Sequence, residues 1–428
     1  MIASVNDRVV TCLAVEHAPG ERAPEEEYRM IQPGASTERT VGIWRETKLD
    51  CLRTYCSHSS EPEGKYFMKL FDVNRPLAFH VFTLAVVCLL NVSLLNARTD
   101  AADVEFIVGG LMVSEGGTWD PKASPLTSPF GVDFNAEGEM WIVELEGGRV
   151  HRFDQKGILH HAGGDGSSSY KGDGGPLSTA TFNGMHNCAV TSTGDLYIGD
   201  SWNHCIRKVD AKTGLISTVA GTGKKGFSGD GGPATEATFD FVMCITLNLA
   251  NDVIHVADLN NHRIRAVNLA TGLVSTVAGN GKKGIPKDGE LAADSALVDP
   301  RAVVQDSKQN IWILERGGHA LRVVRPDGKI YTIAGTGKKG SKDGPALSAE
   351  FGSPKHLCID DADNIFIADD ENGTIRRVDA TTHEVTTVLG KGQGDARIRL
   401  SHPHGVTWER GNLYVVDMGN NRILRIKP

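Results

Sequence analysis

The chain has 428 residues, a formal net charge of −8 at pH 7 and 40% hydrophobic residues. The mildly acidic balance gives no electrostatic footprint for nucleic acid, and the length is great for one undivided core. None of the eight cysteines falls in a C-x-x-C spacing, which excludes a thioredoxin-type redox motif.

In chain order, residues 1–67 show no repeat and no sustained periodicity, and the polar stretch Pro19 to Met30 predicts no structure. A short segment from Met68 to Arg75 carries Lys69 and Arg75. An apolar run follows from Leu77 to Leu95, then the small residues Ala97, Ala101 and Ala102. Basic segment, apolar core and small-residue site in this order are those of a secretory signal. Its depth in the chain leads to the expectation that translation starts at Met68. Residues 1–67 are then a gene-model extension or disordered, and 68–102 a signal peptide. The alternative is an uncleaved membrane anchor through residues 77–95, near the lower length limit for a span. Either way the expected location is exported: periplasmic, cell-surface or secreted. A natural peptide from Met1 to Lys65 would contradict the late start.

From Val104 onward the text repeats. A glycine ends a short strand at Gly109, Gly163, Gly221, Gly279, Gly335 and Gly390, giving spacings by subtraction of 54, 58, 58, 56 and 55 residues. Each unit holds four short alternating apolar runs separated by Asp, Gly and Asn. In the second unit these are Cys188 to Val190, Leu196 to Ile198, Cys205 to Val209 and Leu215 to Val219. Period-two alternation with turn residues between runs predicts antiparallel meanders. Four strands per unit at this period predict β-propeller blades. The last unit, from about Pro403, has three strands, and Val104 to Val108 is a lone strand with no unit before it. The expectation is an all-β, six-bladed propeller over 103–428, monomeric, with the first strand completing the last blade so that no edge stays open.

Three segments fit G-x-G-x-x-G: Gly221 to Gly226, Gly279 to Gly284 and Gly335 to Gly340. A dinucleotide fingerprint must open a helix. Here Phe227-Ser-Gly-Asp-Gly-Gly-Pro233 follows the first copy, and such a segment cannot start one. The motif is therefore turn chemistry between blades. Within the propeller, Cys188, Cys205, Cys244 and Cys358 are expected to be buried small hydrophobes.

The phrases Asp200-Ser-Trp-Asn-His204-Cys-Ile-Arg-Lys-Val209, Asp258-Leu-Asn-Asn-His262-Arg-Ile-Arg-Ala-Val267 and Asp417-Met-Gly-Asn-Asn-Arg-Ile-Leu-Arg-Ile426 resemble the NHL repeat family of six-bladed propellers. The Gly-Asp-Gly-Gly-Pro loops resemble its exported bacterial members. The resemblance covers about Val104 to Pro428 and leaves function open, because the family includes binding scaffolds and enzymes.

Propeller geometry predicts that the inter-blade loops, the turns between second and third strands and the starts of the innermost strands share one face. On it, Lys224, Lys225, Lys282, Lys283, Lys338, Lys339 and Lys355 form a candidate basic rim for an anionic polymer. Asp173, Asp230, Asp288 and Asp343 recur in the long loops and raise a calcium reading, which needs six to eight oxygens. The acids ending each second strand (Glu144, Asp200, Asp258, Glu315, Asp369, Asp417) occur in every blade, so they are expected to accept turn N–H groups. Asn203, His204, Asn261 and His262 are expected to lock turns.

Chemistry should break the symmetry. The innermost strands start with Phe130, His186, Val242, Arg301, Lys355-His356 and His404. Three neutral imidazoles at about 2 Å from a metal would make a catalytic zinc centre. The family's peptidyl-α-hydroxyglycine amidating lyase is similar. The resemblance implies His186, His356 and His404 as metal ligands and Arg301 as the substrate-orienting group, with Tyr170 a candidate tyrosine. His356 is one residue out of register. The leading reading is an exported scaffold that binds a protein, peptide or glycan and needs no cofactor. The second is a zinc-type lyase or hydrolase, amidating-lyase-like or lactonase-like. A quinone-dependent sugar dehydrogenase is a third.

Overall fold

The computed structural model describes residues 2–5, 8–11, 103–109 and 126–427. Ile2–Val5 pairs with Arg8–Thr11 in an antiparallel hairpin. The expected signal or anchor segment lies outside the described residues. Among the described residues no helix is long and apolar enough to cross a membrane.

Six four-stranded antiparallel blades make up the propeller. Their first strands are Pro129–Phe134, Met185–Val190, Val242–Leu247, Pro300–Gln305, His356–Ile359 and Pro403–Glu409. Each packs against the first strand of the next blade, and the sixth against the first, so these strands ring the axis. Burial follows from this placement. Met185–Val190 is buried throughout, whereas the fourth strand of that blade, Ile216–Ala220, has a half-exposed centre. The fourth strand of the sixth blade is Asp103–Gly109, antiparallel to Arg422–Lys427. Apolar clusters fill the spaces between blades, so the core is divided rather than central.

The repeating glycine has a steric cause. At Gly109, Gly221, Gly279, Gly335 and Gly390 φ is positive, and an added Cβ would lie 2.0–2.4 Å from a backbone carbonyl oxygen. Only glycine fits there. In the first blade this residue is Gly164, one beyond the Gly163 of the sequence reading: its N–H reaches Leu177 as Gly221 reaches Ala234.

The long loops do not crown the face as expected. Their Gly-Asp-Gly-Gly-Pro ends drape down the outer edge of the following blade. Gly174 N–H donates to Ile216 and Leu177 N–H to Gly214, and Gly231 and Ala234 repeat the pattern on Val274 and Gly272. In the fifth blade the same contact becomes a fifth strand, Gly344–Pro345, on Glu384–Leu389. The outer strands of blades two to five are thereby partly covered, which hinders edge-to-edge association there. No α-helix follows a G-x-G-x-x-G segment. Each leads through irregular chain into one 3-10 turn, such as Ala234–Glu236.

The loop acids serve the same clamp. Arg207 and Arg376 on third strands are fully buried. Arg207 donates from Nε and Nη2 to Asp173, whose other oxygen accepts Thr218 N–H. Arg376 treats Asp343 alike, and Asp343 accepts Thr387 N–H. Arg265 reaches Asp230 at 2.7 Å, and Asp288 accepts from Thr332. These carboxylates are committed to strands and guanidinium groups of four different blades, and among the described residues no three of them group to hold a metal ion.

The acids ending the second strands behave as expected. Glu144, Asp200, Asp258, Glu315, Asp369 and Asp417 each accept one backbone N–H from the chain that leads into their own blade, at 2.6–2.7 Å. Asn203 and Asn261 bridge that carboxylate to a loop carbonyl. His204 and His262 hold left-handed turn positions, and His204 Nδ1 accepts Phe241 N–H from the next blade. All four propeller cysteines are buried free thiols.

Candidate channel-mouth site

The first strands carry a β-bulge at their start. Register shifts fall between Pro129 and Gly131, Met185 and Asn187, Val242 and Cys244, Pro300 and Ala302, and Pro403 and Gly405. The extra residues are Phe130, His186, Met243, Arg301 and His404. A bulge re-aims a side chain out of the ladder, so the sheet itself delivers one residue per blade to the mouth. Blade three supplies Met243 rather than Val242, which is fully buried. In blade five Lys355 takes this place, just ahead of the strand, with its N–H on Ala368.

The rings are packed together. Phe130 lies between His186 and His404, with centroids 4.6 and 4.3 Å away. His186 in turn meets Phe241 at 5.5 Å and Trp202 at 6.1 Å. The Arg301 guanidinium sits 5.8 Å from the Phe130 centroid. Asp370, the residue after the second-strand acid of blade five, reaches Lys355 at 3.4 Å, His402 at 3.0 Å and His404 at 3.6 Å.

His356 does not join His186 and His404. Its Nδ1 donates to Val406 O at 3.1 Å, and Nε2 accepts from Asn187 Nδ2 at 3.1 Å and faces Cys244 Sγ at 3.6 Å. Both nitrogens are thus used inside the ring of first strands. His186 donates from Nδ1 to Gly184 O at 2.8 Å. Among the described residues no group of three or more His, Cys, Asp or Glu side chains is placed to hold a metal ion. The expected three-histidine zinc set is therefore not assembled. Tyr170 is not at the mouth either: its hydroxyl bonds Thr218 on the outer strand of blade two, and its ring lies under Arg207.

The lysine rim is half neutralised. Lys225 pairs with Asp240, Lys283 with Asp299 and Lys339 with Glu371, while Lys224, Lys282 and Lys338 are exposed. Such surface pairs contribute little stability. Their regular use of the second lysine argues for loop positioning more than for a continuous basic arc.

The electrostatics of the mouth differ from those of the rim. Arg301 is 4% exposed, and its Nε and Nη1 have no hydrogen-bond partner. Burial lowers its pKa to about 9, with Arg316 adding to the effect. Burial likewise holds His186 down at about 3, His356 at about 4 and His404 at about 2. The imidazoles are neutral at pH 7, and the Asp370 carboxylate lies among the positive charges of Arg301 and Lys355, with Arg316 adding to their mutual repulsion.

A pH test follows for His404. Its folded value lies below the ordinary 6.5, so the unfolded chain takes up the proton more readily. The stability it confers is complete above about pH 6.5 and is lost as pH falls toward the folded value. In denaturant titrations, the stability of the wild type relative to His404→Gln should fall by about 1.4 kcal/mol per unit between about pH 6 and 4. A pH-independent difference would show that the imidazole is not held neutral.

Sequence reasoning missed Asp370 and Arg316. Both occupy the position after the second-strand acid, where other blades have Leu145, Ser201, Leu259 and Met418. That local break in the repeat was the available signal.

No protein-family model matches the chain. The human NHL repeat-containing protein 2 is 29% identical over 275 residues, covering 55% of this chain and 37% of that protein. The Arabidopsis thaliana chloroplastic protein SUPPRESSOR OF QUENCHING 1 is 27% identical over 281 residues, covering 60% of this chain and 26% of that protein. The chain thus spans well under half the length of these curated relatives. Among solved structures, an auxiliary nutrient binding protein from Bacteroides thetaiotaomicron superposes with a TM-score of 0.54 at 14% identity, over 76% of this chain and 75% of that one.

Proposed function

We propose that this chain, a six-bladed β-propeller of the NHL repeat type, is a binding module whose ligand sits over the channel mouth. The observation that carries this reading is the mouth itself. Five of six blades bulge to aim a side chain there, and the six residues delivered are of five types with only histidine recurring, whereas the turn locks and loop clamps repeat. Structural parts of a repeat protein recur, and a site made from one residue per blade can be varied without disturbing the scaffold. The nutrient binding protein on the same fold is in keeping with a binding role, although a shared fold carries no activity of its own.

The proposal places the propeller outside the cytoplasm, on the basic, apolar and small-residue order of 68–102. Its ligand there is a protein, peptide or glycan, or a small molecule. A metal-dependent lyase or hydrolase loses ground, because His356 is committed elsewhere.

Photo-crosslinking tests the face. Trp202, 41% exposed beside His186, and Leu249, 69% exposed in the turn between first and second strands on the opposite face, are each replaced by a photoreactive residue in the full chain. Adducts formed in the native cell from position 202 and not from 249 are expected. Equal labelling, or labelling from 249 alone, would sink the reading.

A further inference from the structure

The proposed mouth site contains one feature that the scaffold does not use. Arg301 is buried, and two of its nitrogens lack partners, although a fold normally satisfies nearly all such groups. Arg265, equally buried, also leaves Nε without a partner but still holds Asp230 and Asp258. Arg207 and Arg376 are as deep, and each is bound by carboxylates and carbonyls. The nearest carboxylate, Asp370, is already shared among Lys355, His402 and His404. His404 Nδ1 is also buried without a partner. An uncompensated buried cation is unfavourable unless an anion comes to it.

The surroundings narrow the class of anion. Phe130 covers Arg301 on one side, and the rings of His186, Phe241 and Trp202 continue away from it toward solvent. Phe130, His186, Met243, Arg301 and His404 are nine-tenths buried or more, so only a slim group reaches the guanidinium. Asp370 opposes a second negative charge. A planar monoanion matches guanidinium geometry, and an apolar body behind it matches the rings.

Resting on the mouth as the binding face, we propose that the site takes a carboxylate carried on an apolar or aromatic body. Arg301 receives the carboxylate, and Phe130, Phe241 and Trp202 receive the body. A free acid and a peptide C-terminus share this chemistry.

Thermal unfolding of the full chain tests it, in buffer free of carboxylate and phosphate. Phenylacetate at about tenfold above its dissociation constant should raise the midpoint by about 2–3 °C. Phenylacetamide and inorganic phosphate should give less than about a third of that shift, the first lacking charge and the second carrying too much. Arg301→Met should abolish the phenylacetate shift. Arg301→Lys, which keeps the charge without the planar fork, should retain a weakened one. Gly-Gly-Phe with a free C-terminus, compared with its amide, separates the sources: tighter binding of the free peptide than of phenylacetate marks a peptide end, the reverse a small acid, and both support the proposal. An unchanged shift in Arg301→Met, equal binding of phosphate, or no response to any carboxylate would overturn it. Equal binding of phenylacetamide, lost in Trp202→Ala, would overturn the carboxylate while leaving the mouth as a binding face. Silence of every probe would leave that face to the crosslinking result alone.

Discussion

Arg376→Met should cost about 3–5 kcal/mol, or about 5–10 °C in thermal midpoint, whereas Arg377→Met, one residue on, should cost less than about 1 kcal/mol. The two arginines lie on the same strand with opposite fates. Arg376 is fully buried. It holds Asp369 at 2.9 Å and Asp343 at 2.5 Å and donates to the carbonyls of Lys342 and Glu350. Methionine fills much of the same volume, so the loss is mainly electrostatic. Asp369 would stay buried with only Asn372 and the Gly352 N–H as partners, and the draped loop would lose its anchor. Arg377 is partly exposed and pairs with Asp379 at 2.9 Å, an interaction of the weak surface kind. Urea denaturation of both variants checks the contrast, and similar small losses would show that the clamp adds no stability.

A second large effect is expected at the joint between the two ends of the propeller. Val108 is fully buried, pairs with Ile423 and packs near Met140, Ile142 and Val416. Leu389 holds the same strand position in blade five, opposite Ile375, and is also fully buried. Val108→Asp and Leu389→Asp should each destabilise by about 3–5 kcal/mol, because each puts a carboxylate into an apolar contact. If Val108→Asp were harmless while Leu389→Asp unfolded the protein, residues 103–109 would not be acting as the outer strand of blade six.

The blades themselves were legible in the sequence because strands and turns obey local rules. Alternation marked the four runs, and the glycine markers recurred because a carbonyl leaves no room for a Cβ. Two shifts of one residue show where local rules stop. Gly164, not Gly163, is the first-blade marker, and Met243, not Val242, reaches the mouth. Bulges insert a residue that alternation cannot count. Propeller geometry predicts the long loops, with their recurring acids, on the rim. Their true partners, Arg207 and Arg376, lie 33–34 residues downstream, beyond any periodic signal. The resemblance implies His356 as a ligand from its place at the start of an innermost strand. Its partners, Asn187, Cys244 and Val406, come from three other blades, and only the closed ring brings them together. Asp370 stands in a turn, where an acid ordinarily caps backbone groups, so only the break in the repeat marks it.

In the proposed site, Arg301 is a cation kept for a ligand rather than for the fold. The direct measurement is the unfolding free energy of Arg301→Met beside the wild type, both ligand-free. Replacing an unpaired buried charge with an apolar side chain of similar volume should leave stability unchanged or raise it by up to about 2 kcal/mol. A loss of more than about 2 kcal/mol would mean that Arg301 is a structural partner like Arg376, and the case for a ligand at the mouth would fall with it.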